Sequence, residues 1–140
     1  MKISTRGRYA LRIMIDLAEH TGEKEYIAMK DISQRQELSL KYVEKILPQL
    51  VKGNLIVGQH GKGGGYKLLR KPEEYPVGEI LRLTEGDLAP VACLECGAEE
   101  CNRRESCRTI DMWEKLYDMI EKYFDSITVA DLMNNTQLIE

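Results

Sequence analysis

The sequence predicts a mostly α fold with a small β-hairpin wing, a winged helix-turn-helix followed by a long dimerisation helix. Three observations predict it. Residues 29–66, MKDISQRQELSLKYVEKILPQLVKGNLIVGQHGKGGGY, read as helix, tight turn, second helix and Gly-rich hairpin, the order of a module that sets one helix in a DNA groove. Residues 109–127 repeat apolar side chains at helical spacing. Charge is divided between the halves: residues 1–72 hold 14 Lys and Arg against 7 Asp and Glu, a net +7, and residues 73–140 hold 6 against 16, a net −10, which together return the chain's −3. A basic first half and an acidic second half suggest one face for nucleic acid and another kept off it.

The first twenty residues open with Ser4-Thr5-Arg6-Gly7-Arg8-Tyr9 and continue as a helix with Ala10, Ile13, Met14, Leu17 and Ala18 on its apolar face. Ser4 or Thr5 caps it. Arg6, Arg8 and Arg12 sit near its start, where cations oppose the helix dipole, so phosphate contact is their simplest use. Residues 21–26 are a polar connection. Met29–Gln36 forms the first helix of the helix-turn-helix, and Glu37-Leu38 the turn. Ser39 is a good N-cap for the second helix, in which Leu40, Val43, Ile46, Leu47 and Leu50 make a buried stripe. Ser39, Lys41, Tyr42, Glu44 and Lys45 stand near the N-terminal end, where a recognition helix meets DNA. Pro48 lies inside this helix and is expected to kink it without stopping it, and Gly53-Asn54 ends it as a C′ glycine does.

Residues 55–57 and 67–69 are expected strands flanking His60-Gly61-Lys62-Gly63-Gly64-Gly65, a tip without bulk that carries one or two cations, His60 and Lys62. Pro72 and Pro76 mark a boundary. The expected division is a DNA-binding region over 1–76, then a connecting helix, a cysteine-rich loop over 92–108, a dimerisation helix over 109–127 and a short last helix within 77–140. The connecting helix, 77–85, turns Val77, Ile80, Leu81 and Leu83 inward, and Gly86–Pro90 closes it. In the long helix, Ile110, Trp113, Leu116, Tyr117, Ile120, Tyr123, Phe124 and Ile127 form a wide apolar stripe. So large a face on so small a body suggests burial against a second copy, a homodimer on a two-fold DNA site. Thr128 and Asp131 resemble a capping box for a helix over 128–133, and residues 134–140 are an expected frayed tail.

The P-loop pattern is absent, and so is a GxGxxG in strand-to-helix context. With no paired base and nucleophile, an enzyme is not expected. No apolar run is long enough to span a membrane, and the early arginines break any signal-peptide pattern, so a cytoplasmic protein without a membrane partner is expected.

All four cysteines fall within residues 93–107, spaced C-x2-C-x4-C-x5-C. In a cytosolic chain such a cluster reads as metal or redox chemistry. Thiolates select zinc or iron–sulfur clusters. Zinc usually takes two compact CxxC knuckles, whereas only Cys93 and Cys96 have that spacing; iron–sulfur clusters accept looser loops. A zinc staple and metal-free redox thiols stay open beside the cluster. Because the loop directly precedes the long helix, a metal there could set the position of the dimer axis.

Taken together, Met1-Lys2-Ile3-Ser4-Thr5-Arg6-Gly7-Arg8-Tyr9-Ala10, Ser39-Leu40-Lys41-Tyr42-Val43-Glu44-Lys45-Ile46-Leu47, Gly64-Gly65-Tyr66-Lys67-Leu68, and Cys101-x5-Cys107 with Trp113 six residues on resemble the Rrf family of winged-helix transcription regulators over nearly the whole chain. The resemblance implies a dimer whose long helix crosses its mate. In IscR-like members three cysteines and a histidine hold a 2Fe–2S cluster. By that pattern Cys93, Cys101 and Cys107 match the cysteines, while Ile110, which cannot ligate, stands at the histidine's position, and Cys96 is the alternative fourth ligand. His60 replaces the wing arginine of many members, and an imidazole is a weaker cation at neutral pH. A CymR-like branch implies instead a cluster-free regulator of cysteine metabolism controlled by a partner enzyme.

Overall fold

The computed structural model describes residues 2–135. Eight principal elements follow one another: α1 (Thr5–Glu19), α2 (Met29–Gln36), α3 (Leu40–Lys52), β1 (Ile56–Gln59), β2 (Gly65–Leu68), α4 (Val77–Glu85), α5 (Ile110–Asp125) and α6 (Val129–Met133). Short 3₁₀ turns lie at Pro72–Glu74, Ala92–Leu94 and Arg104–Ser106. The fold is the expected helical one with a two-stranded wing.

Local chemistry sets the boundaries. Ser4 caps α1, its hydroxyl accepting from the Gly7 N–H at 3.1 Å, and Ser39 caps α3 by accepting from the Tyr42 N–H at 3.2 Å. Glu37, in the left-handed region at φ 54, turns the chain between α2 and α3. The stripe Val43, Ile46, Leu47 and Leu50 is buried as its spacing predicts, whereas Leu40 is 45% exposed. The helix continues through Pro48 to Lys52. Its end differs from expectation. Gly53 has an ordinary φ of −81, and Asn54 takes the left-handed conformation at φ 59. Gly53 is small for another reason: a Cβ there would meet Leu83 Cδ2 at 2.5 Å.

The strands are displaced from the predicted ones. They pair antiparallel from Ile56↔Leu68 to Gln59↔Gly65, so Leu55 and Leu69 fall outside and Gly58, Gln59, Gly65 and Tyr66 join the ladder. Backbone partners outside the predicted ladder accompany the shift: Ile27 exchanges two hydrogen bonds with Tyr66, both 2.8 Å, adding a bridge to the wing, while the Tyr75 hydroxyl accepts from the Leu69 N–H and donates to the Leu55 carbonyl. Gly65 (φ 149) is needed there, because a Cβ would collide with the Ile27 carbonyl.

The main core gathers Ala10, Ile13, Met14 and Leu17 of α1 with Ile32, the α3 stripe, Leu55, Ile56, Tyr75, Ile80 and Val129. A smaller cluster holds Val77, Leu81, Leu88 and Ile127, against which Tyr117, Ile120 and Phe124 of α5 pack. The long helix is therefore shorter than predicted. It stops at Asp125, and Ile127 turns inward, its carbonyl accepting from the Val77 N–H at 2.8 Å. The Thr128–Asp131 capping box forms as expected. The expected frayed tail lies, from residue 136 on, outside the described residues. Among the described residues, no helix is long and apolar enough to cross a membrane.

Two polar centres brace the core. Tyr75, fully buried, donates its hydroxyl to the Leu55 carbonyl at 2.6 Å and accepts from the Leu69 and Arg70 N–H groups at 3.0 and 2.9 Å. Burial pushes its phenol pKa up. Asp16, 1% exposed, accepts from Arg35 at 2.8 and 3.0 Å and from the Gln36 amide at 3.1 Å, tying α1 to α2.

Candidate functional site

Helix α3 presents its first turns outward because its apolar stripe claims the opposite face. Ser39, Lys41, Tyr42, Glu44 and Lys45 are all exposed. The start of α1 lies beside them: the rings of Tyr9 and Tyr42 meet edge-on, centroids 5.5 Å apart and planes at 85°. Arg6 and Arg8 are exposed on that first stretch of α1, Arg8 donating to the Thr5 hydroxyl at 3.2 Å. Toward its C-terminal end, α3 meets the wing. Pro48, Val51 and Lys52 share a surface hollow of about 390 Å³ with Gly58, Gln59, His60 and Tyr66. Lys62 is exposed at the wing tip between Gly61 and Gly63, both at positive φ. The recognition-helix candidate is thus flanked by the arginines of α1 at one end and the wing at the other.

Arg12 belongs elsewhere. It is half-buried, lies 5.3 Å from the Tyr9 ring centroid, and donates to the Gln36 backbone carbonyl and, at 3.4 Å, to Gln36 Oε1. A cation at the last residue of α2 satisfies an orphan carbonyl and suits the helix dipole, so its charge serves a helix end. In the sequence Arg12 groups with Arg6 and Arg8, and no spacing there assigns Tyr9 a role.

The cysteine loop covers the approach to α5. Cys93, Cys96 and Cys101 are exposed and Cys107 is half-buried. Cys101 and Cys107 line one hollow of about 470 Å³ with Arg103, Ser106, Arg108 and Thr109. The Thr109 hydroxyl, 3.5 Å from Cys107 Sγ, lowers the thiol's pKa, helped by the backbone of Thr109 and Ile110 and by Arg103. Lowering favours the thiolate, the form that ligates metal. Cys96 is fixed through its backbone, its N–H donating to Asp87 at 2.8 Å. Two residues earlier, Glu85 accepts from the N–H of Ser4 and, at 2.8 Å, from its hydroxyl. The C-terminal end of α4 and the two residues that follow therefore hold both the cysteine loop and the cap of α1. The donor set is chemically suited to a thiophilic metal centre, but among the described residues no three Cys, His, Asp or Glu converge to hold an ion. Ile110 opens α5, His20 pairs with Glu23 at 2.9 Å, and His60 is on the wing.

Beyond the loop, α5 carries two apolar seams. Trp113, Tyr117, Ile120 and Phe124 are half-buried, the last three against α4's cluster. Met112, Leu116, Met119 and Tyr123 lie one residue earlier at each step and are 55, 37, 57 and 51% exposed. Arg82 clamps the inner side by pairing with Glu121 and, at 2.6 Å, with Asp125. The predicted single stripe is thus divided, and Met112 and Met119, left out of it, belong to the outer seam.

Comparison with known proteins agrees with this architecture. The family model described as "Rrf2: Iron-dependent Transcriptional regulator" matches residues 3–135. The chain is 38% identical to Protein rrf2 of Nitratidesulfovibrio vulgaris, over 99% of this chain and 91% of that one. To the HTH-type transcriptional regulator IscR of Pectobacterium carotovorum it is 33% identical, over 100% of this chain and 84% of that one. Among solved structures, CymR (YrzC), the global cysteine regulator of B. subtilis, superposes with a TM-score of 0.77 at 36% identity, over 98% and 99% of the two chains. T. potens IscR gives 0.74 at 35%, over 98% and 89%. On this similarity and the winged helix-turn-helix itself, the chain belongs to the Rrf2 family: it is a DNA-binding transcriptional regulator, not an enzyme.

Proposed function

We propose that this regulator acts as a homodimer on two-fold DNA sites and carries an iron–sulfur cluster in its cysteine loop. The observation that carries the reading is one of placement: four thiols within residues 93–107 lead directly into a helix whose outer seam is exposed. In this reading Cys93, Cys101 and Cys107 hold the cluster, most simply 2Fe–2S, and Cys96 supplies the fourth ligand that Ile110 cannot. A bound cluster supplies reactivity toward oxidants and nitric oxide. The chain's own part is to hold the loop at the start of α5, through Asp87 on the Cys96 backbone, and to join two copies through Met112, Leu116, Met119 and Tyr123.

At the DNA face, Arg6, Arg8, Lys41 and Lys62 hold phosphates, with Ser39 ordering the first turn of α3 and His60 adding a weaker wing contact. Tyr42, Glu44 and Lys45 meet base edges. Glu44 accepts from a cytosine amino group and repels phosphate elsewhere, which gives discrimination.

A second reading is favoured by Ile110 and by the likeness to CymR. Here the regulator has no cluster, and a partner enzyme of cysteine metabolism docks on the acidic second half. An absorption spectrum with iron and sulfide analysis, on protein purified without oxygen, separates the two. Visible charge-transfer bands with stoichiometric iron and sulfide are expected. A colourless protein that resists reconstitution overturns the cluster and leaves zinc, free thiols or a partner as the input.

A further inference from the structure

We propose that Tyr9 sets the position from which Tyr42 meets DNA, so that part of the sequence preference of α3 is determined by a residue of α1. The inference rests on the reading of Tyr42 as a base-contacting residue. It adds a positioning residue to that interface.

Tyr42 occupies the first turn of α3 and is 47% exposed. An exposed tyrosine samples several staggered rotamers, and ordering it on binding costs affinity unless the order exists beforehand. Here the order exists. Tyr9 packs against the main core and offers its ring to Tyr42 in the edge-on arrangement that aromatic quadrupoles favour, 5.5 Å between centroids at 85°. Tyr9 is itself held, because the Arg12 guanidinium lies over its ring at 5.3 Å. Arg12 is fixed in turn on the Gln36 carbonyl at the end of α2, and the Gln36 amide donates to the buried Asp16 at 3.1 Å. The series Tyr42, Tyr9, Arg12, Gln36, Asp16 thus runs from the DNA face to the interior through α3, α1 and α2. It accounts for Arg12 being half-buried where Arg6 and Arg8 are exposed.

An aromatic contact of this kind corresponds to roughly a two- to ten-fold change in an equilibrium. The test uses a DNA duplex selected from a random-sequence pool on the wild-type protein. Preference is measured as the ratio of its affinity to that of point-substituted duplexes. Tyr42→Ala is measured first, to find the base pair whose preference it abolishes. Tyr9→Leu is then expected to lower preference at that pair two- to ten-fold, to leave the dependence of affinity on salt unchanged because no phosphate contact is lost, and to have no further effect in a Tyr42→Ala background. Tyr9→Phe is expected to keep full preference, since the contact is one between rings and the Tyr9 hydroxyl is not needed for it.

An equal loss from Tyr9→Leu in both backgrounds overturns the proposal, for Tyr9 then acts through the fold or on DNA directly. A loss with Tyr9→Phe overturns it too, and that arm decides the matter where Tyr9→Leu does not fold. If Tyr42→Ala changes preference at no base pair, the reading of Tyr42 falls first and the role of Tyr9 with it. That failure is distinct, being visible before Tyr9 is altered.

Discussion

Arg8 and Arg12 stand one helical turn apart on α1 and have different environments. Arg8 is exposed in the first turn of α1, where it donates to the Thr5 hydroxyl, while Arg12 is bound to the last residue of α2. Arg8→Ala is therefore expected to flatten the plot of log affinity against log salt by about one unit, the signature of one phosphate contact. Fluorescence anisotropy over a series of potassium chloride concentrations reads it, and an unchanged slope removes Arg8 from the interface. Nothing in the sequence near Arg12 distinguishes it from Arg8, since the carbonyl that captures it lies 24 residues on. Ser39 was legible because a cap is a local device, a hydroxyl three residues before the N–H it serves. Tyr9 was not, because its partner belongs to another helix.

Among elements, the apolar period of α3 could be read directly, as Val43, Ile46, Leu47 and Leu50 leave only one buried face. In α5 the period was right and its meaning incomplete. Apolar residues come there in adjacent pairs, Met112-Trp113, Leu116-Tyr117, Met119-Ile120 and Tyr123-Phe124. Neighbours on a helix point about 100° apart, so the pairs describe two faces and not one broad stripe. The junction of α1 with α2 had no sequence signal at all: Asp16 sits in an otherwise apolar face and finds Arg35 nineteen residues later. The pair is asymmetric, with Asp16 1% and Arg35 33% exposed at the side chain. Arg35→Ala leaves a buried carboxylate with only the Gln36 amide and is expected to cost about 2–4 kcal/mol. Asp16→Asn removes the buried charge and lets Arg35 turn to water, at about 1–2 kcal/mol. Urea unfolding of the two variants gives the order, and equal or reversed costs contradict this account.

Across the whole molecule, charge divides along the chain as the elements do. The +7 half holds α1, α3 and the wing, and the −10 half holds the cysteine loop and α5. The halves are nevertheless built on one core, since Ile80 and Val129 complete the cluster that α1 and α3 begin. The outer seam of α5 has a thermodynamic consequence for this single body. If Met112, Leu116, Met119 and Tyr123 are covered by a second copy, unfolding releases two chains from one particle, and stability ceases to be a property of the sequence alone. Each tenfold dilution then removes about 1.4 kcal/mol per dimer, and the thermal midpoint falls as the protein is diluted. Scanning calorimetry at a series of concentrations is expected to record that fall, and Met119→Glu to abolish it by leaving a folded monomer. The regulator's persistence in its folded form would then be tied to its own abundance.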